Sequence, residues 1–473
     1  MTRKTIPLSE VDDLSINEIH DLYTKFINPN QTKIFSSLPY GNEIFEKAEG
    51  SYLYTKSGKK ILDFTGGEGV LSLGHNHPRI INARINYQKE NRVEVHKIFF
   101  SKYMAALSKS LSNILPETLN KSFFLNSGAE AVEAAIKVCF RNYDAKKKNI
   151  LHANNSYHGK LIGTGTISGS YTKKNLFPVM ENSHSFDFNN IDDLENKIKH
   201  LSKNGGVYAV IIEPYSVSSL TSCKDEFIQK LYLLKNEYDF KVIFDEVYSG
   251  FYKSNKMFYF ENYKNIVPDV ICLSKALGGG KSSISCLVVE ENLYKNTYGK
   301  IDNTFLHTTT YNGFGEESIT ALEAINIMSE DNFEKRVNEI SEKIKKNLND
   351  IKEKHKDKIE CTKGTGIING IIFKSFSSKI GDIVEKFPIE LVKNKSYFLK
   401  KITTTTISSE LFENYNILTS VNDSPNSNHL KVSPALIISN EDIDYFFQSI
   451  DDLLSKNISI RSISKILEIV KKL

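Results

Sequence analysis

The chain has 473 residues, of which 40% are hydrophobic and 25% charged, and it offers room for about three units at roughly 150 residues each. Sixty-one basic against fifty-seven acidic side chains leave a formal charge of +4, too small a field to imply a nucleic-acid or membrane-surface partner. No window reaches the run of about eighteen apolar residues that a spanning helix needs, and the start, MTRKTIPLSEVDDLS, has no apolar stretch behind its charges, so no secretory signal is expected.

In chain order, regular patterning sets in near Lys121. Apolar SFFLN (122–126) is followed by a helical stretch over 128–143, where Val132, Ala135, Ile136, Cys139 and Phe140 recur at helical spacing. Ser127 with Glu130 three residues on predicts a capping box. Then come NILHA (149–153), VYAVIIE (207–213), a helix near 225–238, KVIFDE (241–246), DVICLS (269–274) and ISCLVV (284–289). Short β-rich runs alternating with helices predict a mostly parallel sheet covered on both faces. Beyond Asn332, KRVNEISEKIKKNLNDIKEKHKDK reads as an exposed, charge-laced helix, with GTGIINGIIF (364–373) and KVSPALII (431–438) as strand candidates. The Ser, Thr, Asn and Lys-rich segment 374–429 carries no clear pattern, and 456–473 reads as a terminal amphipathic helix. Five cysteines (Cys139, Cys223, Cys272, Cys286, Cys361) form no CxxC and an odd set, as expected of free thiols in a reducing cytoplasm.

Four places can carry chemistry. Asn126-Ser127-Gly128-Ala129 lies at a strand-to-helix turn, where free N–H groups favour an anion such as a phosphate, although a capped helix needs no ligand to explain it. Asp245-Glu246-Val247 follows an apolar strand, and a carboxylate at the C-terminal end of a parallel strand faces the ligand crevice. Lys275, in LSKALGGG (273–280), also follows a strand; an amine held against an apolar wall deprotonates readily, and the neutral amine forms Schiff bases. Gly278-Gly279-Gly280-Lys281-Ser282 is not a P-loop, because GxxxxGK[ST] needs Gly where Lys275 stands. Tyr157-His158-Gly159 fits either a packed corner or a stacking platform. His75, His77 and His158 have no metal-ligand spacing, and no metal is expected.

Taken together, SGAEAVEAAIK (127–137), YHGK (157–160), EP (213–214), DEVYSGF (245–251), PDVICLSKALGGG (268–280) and HTTTYNG (307–313) resemble the class III aminotransferases, pyridoxal 5'-phosphate (PLP) enzymes of fold type I. GKKILDFTGGEGVLSLGHNHPRI (58–80), KGTGIINGIIF and LKVSPALII extend the resemblance over about residues 35–455. It implies an α/β fold with a large domain built on a mostly parallel seven-stranded sheet and a smaller α+β domain from the chain ends. The expected division is 1–95 (small-domain and mouth segment), 96–332 (cofactor domain) and 333–473 (C-terminal small domain).

The same resemblance implies roles. Lys275 would be the Schiff-base lysine and proton carrier, and Asp245 the partner of the pyridine nitrogen. Ser127, Gly128 and Ala129 would grip the phosphate. Tyr157 and Val247 would flank the ring, with His158, Glu213 and Tyr248 close by. Thr310 would reach the phosphate of a neighbouring subunit, which requires a homodimer. Departures bear on substrate. Tyr248 replaces the usual Gln, Ser218 a second Glu, and Lys431 the arginine that grips an α-carboxylate in many members. Glu68 could receive a distal ammonium and Lys160 a carboxylate. The expectation is a cytoplasmic enzyme that moves an amino group from an amine, diamine or ω- or basic amino acid to an oxo acid or aldehyde. The alternatives are another PLP reaction on the same fold (aminomutase, epimerase, decarboxylase or phospho-lyase) or a non-catalytic relative.

Overall fold

A computed structural model describes residues 5–94, 98–169, 178–305, 307–312, 314–375, 395–424 and 427–456. The terminal helix expected at 456–473 therefore lies almost wholly outside the described residues.

The centre is a seven-stranded sheet. Its order is Leu119–Leu125, Ser285–Glu290, Val270–Leu273, Lys241–Asp245, Val207–Ile212, Asn149–Ala153 and Ser183–Phe186. Only Ser285–Glu290 runs against the rest, pairing antiparallel with both neighbours. Both faces are buried because successive side chains of a strand point to opposite sides. Ile211, Ile243 and Cys272 join the cluster under the helix Gly128–Asn142, whereas Val210, Val242, Phe244 and Ile271 join the larger core on the other face. Each such buried aliphatic side chain stabilises the fold by about 1.5–3 kcal/mol relative to exposure. This layering explains why the strands read as continuous apolar runs with no alternation. The edge strand Ser183–Phe186 escaped the sequence reading because only Phe186 of its four residues is fully buried and the other three are polar.

Two four-stranded sheets lie outside this one, besides a two-stranded ribbon of Tyr215–Ser216 with Thr221–Ser222. Phe45–Glu49, Tyr52–Thr55 and Lys60–Asp63 form a meander, and Ile417–Leu418 adds in parallel to Lys60–Asp63. The second is Ile359–Thr365, Ile368–Phe373, Ser427–Val432 and Val421–Ser424, all antiparallel. The strand expected over 364–373 is thus two strands joined at Gly366-Ile367, and the one expected over 431–438 begins earlier and stops at Val432, before Pro434. Pro cannot continue the ladder.

The charged helix Phe333–Lys354 is not exposed all round. Val337, Ile340, Ile344, Leu348 and Ile351 form a buried stripe at helical spacing. Within the unpatterned segment lies the helix Lys395–Tyr415. Its threonines disguise it, since β-branched hydroxyl residues are weak helix formers. Here Thr404 and Thr406 donate to the carbonyls of Lys400 and Ile402, each at 2.9 Å, and are satisfied inside the helix.

Candidate active site

Three strand ends of the large sheet converge on the site. Leu119–Leu125 leads into Ser127, whose hydroxyl caps the helix Gly128–Asn142 by accepting from the Glu130 N–H at 3.3 Å. The Glu130 carboxylate accepts in return from the Ser127 hydroxyl at 3.1 Å and from the Asn126 N–H at 3.0 Å, so the reciprocal backbone bond reaches one residue further back than a standard box. This sets the first turn of a 15-residue helix at the site with Ser127 exposed and Gly128 and Ala129 half-buried. A Cβ on Gly128 would come within 2.8 Å of Val247 Cγ1, so only glycine lets the turn and the loop after Asp245 approach this closely.

Asp245 ends its strand and is almost fully buried. One carboxylate oxygen accepts from the Val247 N–H at 3.0 Å; the other lies 2.7 Å from His158 Nδ1. His158 is held in turn by its own N–H, which donates to Ser168 Oγ at 2.8 Å. Its Nε2 is buried without a hydrogen-bond partner among the described residues. Sequence reading placed His158 in a cofactor motif; its bond to Asp245 identifies it as the group that orients that carboxylate. Tyr157, beside it, is partly exposed, and its N–H donates to Glu213 at 2.9 Å. Burial, reinforced by the Asp245 charge, pushes the Glu213 carboxyl up to about 8.

Lys275 stands two residues past the strand Val270–Leu273 with φ of 49°, a left-handed conformation rare for a residue with a side chain. Its amine lies 3.9 Å from the centroid of the Tyr248 ring and donates to the Glu68 carbonyl at 2.9 Å. Burial is the largest influence on it and brings its pKa down to about 8; the Lys431 charge acts in the same direction, while Glu68, Asp245 and Glu213 oppose it. A substantial fraction of neutral amine near neutral pH is what nucleophilic chemistry at a carbonyl requires.

The mouth holds an arrangement that the sequence did not reveal. Glu68 lies in a turn in which Gly66, Gly67, Glu68 and Gly69 all have left-handed φ, from 55° to 86°. Asp63 supports it, accepting from the Thr65 N–H and hydroxyl at 2.7 and 2.6 Å and from His75 at 2.9 Å. The carboxylate of Glu68 is not free for an incoming ammonium: it forms an ion pair with Lys431. The two candidate substrate residues, far apart in sequence, are therefore partners.

Lys160 and Thr310 are exposed, and the neighbouring Thr309 hydroxyl donates to Asn126 at 3.3 Å. The Ser218 carbonyl accepts from Asn422 at 3.2 Å. Two further groups are buried: Glu246, from the Asp245-Glu246-Val247 run, and Lys253, which the sequence did not single out. Glu246 accepts from Ser249 and from the Tyr259 and Phe260 N–H groups, and burial pushes it up to about 7. Lys253, almost fully buried with no hydrogen-bond partner for its amine among the described residues, is driven by that burial well below its ordinary range. Among the described residues no cluster of three or more His, Cys, Asp or Glu side chains could hold a metal, and no helix is long and apolar enough to cross a membrane.

A glycine cradle at a helix N-terminus, a buried carboxylate fixed by a histidine and a lysine of lowered basicity fit PLP: an anion site, a counter-ion for a ring nitrogen and an amine for an aldehyde. Fold and site together define a PLP-dependent transferase of fold type I. The chain belongs to the class III aminotransferases; the family described as "Aminotransferase class-III" matches residues 39–454. It is a PLP-dependent aminotransferase. Similar solved structures include the adenosylmethionine-8-amino-7-oxononanoate aminotransferase of Methanocaldococcus jannaschii, at 24% identity and TM-score 0.79 over 93% of this chain and 99% of that one. The ornithine aminotransferase of Toxoplasma gondii, described with partial occupancy of PLP at its active site, matches at 18% identity and TM-score 0.76 over 100% and 99%. A transaminase from the marine bacterium Virgibacillus matches at 19% and 0.75 over 91% and 94%. These likenesses are of fold.

Proposed function

We propose that this enzyme moves an amino group from an amine, diamine or ω- or basic amino acid to an oxo acid or aldehyde by a ping-pong route, with Lys275 as the reactive lysine. The observation that carries the reading is the Lys275 amine, held at a strand end in a strained backbone conformation and lowered to about 8. When bound, PLP supplies an aldehyde that exchanges with the amino group and a ring that draws electrons from the substrate carbon.

The chain's own residues do the rest. Lys275 Nζ carries the proton to and from the substrate carbon, and its lowered basicity lets it both accept and return that proton near neutral pH. Asp245, fixed by His158, presents a buried carboxylate to the ring nitrogen, in surroundings where a charge acts strongly. Ser127, Gly128 and Ala129 would hold the phosphate, Val247 and Tyr157 the ring faces, and Glu213 and Tyr248 the ring edge. Lys160 and the Glu68–Lys431 pair would meet the charged end of the substrate. Thr310 of the partner subunit would complete the phosphate site in a homodimer, a reading supported by exposed Ile98, Phe100, Phe305 and Tyr311. The division at 1–95, 96–332 and 333–473 and a cytoplasmic location belong to the same reading; the parallel pairing of Ile417–Leu418 with Lys60–Asp63 favours chain ends that share a domain.

The test is a spectroscopic half-reaction with a panel of donors in the absence of acceptor. Conversion of the cofactor's aldehyde form to its amine form by amines or ω-amino acids is expected. Product formation with the aldehyde form unchanged would replace transamination with one of the other PLP reactions.

A further inference from the structure

Glu68 makes two bonds of different kinds to two lysines. Its backbone carbonyl accepts from Lys275 Nζ at 2.9 Å, and its carboxylate pairs with Lys431. The backbone that allows this is costly. A left-handed φ of 57° on a residue with a Cβ is unfavourable, so something must hold it. Glycines on either side ease the path of the chain, and Asp63 anchors the entry to the turn. On the exit side, the ion pair to Lys431 ties Glu68 to the strand Ser427–Val432 of a different sheet.

We propose that Glu68 is a positioning residue for Lys275: its carbonyl anchors the free amine, and its pair with Lys431 latches the turn that presents that carbonyl. The inference takes from the proposed function only that Lys275 is the reactive lysine. Condensation of that amine with an aldehyde forms a C=N bond, and the two N–H hydrogens leave with the aldehyde oxygen as water. The imine nitrogen carries at most one hydrogen, and only when protonated, so the Glu68 carbonyl loses donors that the free amine supplied. One arm of the latch is weakened when the lysine is engaged, and the arm on Lys431 and the Asp63 anchor at the entry are left to hold a strained turn. Lys431 thereby becomes easier to release for a substrate carboxylate once cofactor is in place.

The charges around Lys275 give the proposal a signature that a merely structural role lacks. Facing the amine are Glu68 from the turn, Lys431 from the small-domain strand, Asp245 and Glu213 from the large sheet and the Tyr248 ring, with Lys253 behind it. Removing the Glu68 carboxylate leaves the Lys431 charge uncompensated and makes the amine easier to deprotonate. Removing the Lys431 charge does the reverse.

The experiment is competitive trace labelling of the cofactor-free protein with acetic anhydride between pH 6 and 10, with the Lys275 peptide quantified by mass spectrometry. At pH 7, labelling of Glu68→Gln is expected to be about threefold faster than wild type and that of Lys431→Met about threefold slower, each equivalent to half a pH unit. Glu68→Gly, which accepts the left-handed turn without strain, is expected to follow Glu68→Gln and guards against a folding artefact. The two charge effects cancel in the double variant Glu68→Gln/Lys431→Met, whose labelling is expected to stay faster than wild type because the carbonyl anchor is loosened; labelling of the double variant at the wild-type rate would overturn the latch. If the wild type takes up no PLP while the double variant labels faster, the proposed function fails and the latch stands. PLP uptake with the double variant at the wild-type rate gives the converse.

Discussion

His158 Nδ1 lies 2.7 Å from Asp245 Oδ2, with both side chains almost completely removed from solvent. A hydrogen bond to a charged group contributes about 1.5–3 kcal/mol, and here it also fixes the direction of the one carboxylate at the end of the central strand. His158→Ala is expected to weaken PLP retention by about tenfold or more, whereas Lys275→Ala leaves non-covalent uptake and removes the borohydride-reducible bond. Equilibrium dialysis followed by mass spectrometry of the reduced protein separates the two effects; undiminished affinity in His158→Ala would remove the orienting role.

The lowered basicity of Lys275 sets a direction for cofactor loading. Its pKa of about 8 lies below the ordinary lysine value, so the neutral amine gains on the charged form as pH rises and dominates above about 8. The rate at which cofactor-free protein takes up PLP, followed by absorbance, is expected to rise from pH 6.5 and level off above pH 8. A rise that continues unabated to pH 10 would show an amine unaffected by burial.

Glu213 and Glu246 make the opposite contribution to stability. Their carboxyls are raised by burial to about 8 and about 7. Between the ordinary carboxylate range and these values the folded protein binds protons that the unfolded chain has released. The stability they supply is full in acid and is lost as pH climbs through 7 and 8. In Glu246→Gln, the fall in urea midpoint between pH 5.5 and 8.5 is expected to be shallower than in wild type. An unchanged slope would show that the carboxylate is accommodated ionised by its three donors.

Gly69 has φ of 86°, and a Cβ there would come within 3.0 Å of Tyr248 Cζ. Gly69→Ala is expected to cost about 1–2 kcal/mol from the backbone alone, and to displace the ring against which the Lys275 amine rests. Urea denaturation reads the first effect. The pH profile of PLP uptake reads the second, and stability at the wild-type level would mean that the turn can relax.

The sequence alone determined six of the seven strands of the central sheet and the order of its site-bearing turns. Strands buried on both faces must be apolar throughout, and a cap, a carboxylate and a lysine at strand ends are local signals carried by a few consecutive residues. Ser127, Asp245 and Lys275 were legible for that reason. The family resemblance supplied their roles. The strand expected over 364–373 was legible but not its division into a hairpin that begins at Ile359, and the threonine-bearing helix 395–415 was not legible, because its stability comes from packing and internal back-bonding and not from local propensity.

Only the tertiary structure decided how the charged residues pair. Glu68 and Lys431 are 363 positions apart, and each alone suggested a separate substrate contact. Their meeting depends on the Ser427–Val432 strand coming up against a left-handed turn near the N-terminus. The same is true of His158 and Asp245, and of the burial that lowers Lys275. Charge, burial and hydrogen bonding act through space over a few ångströms, so these properties exist only once the sheets are assembled.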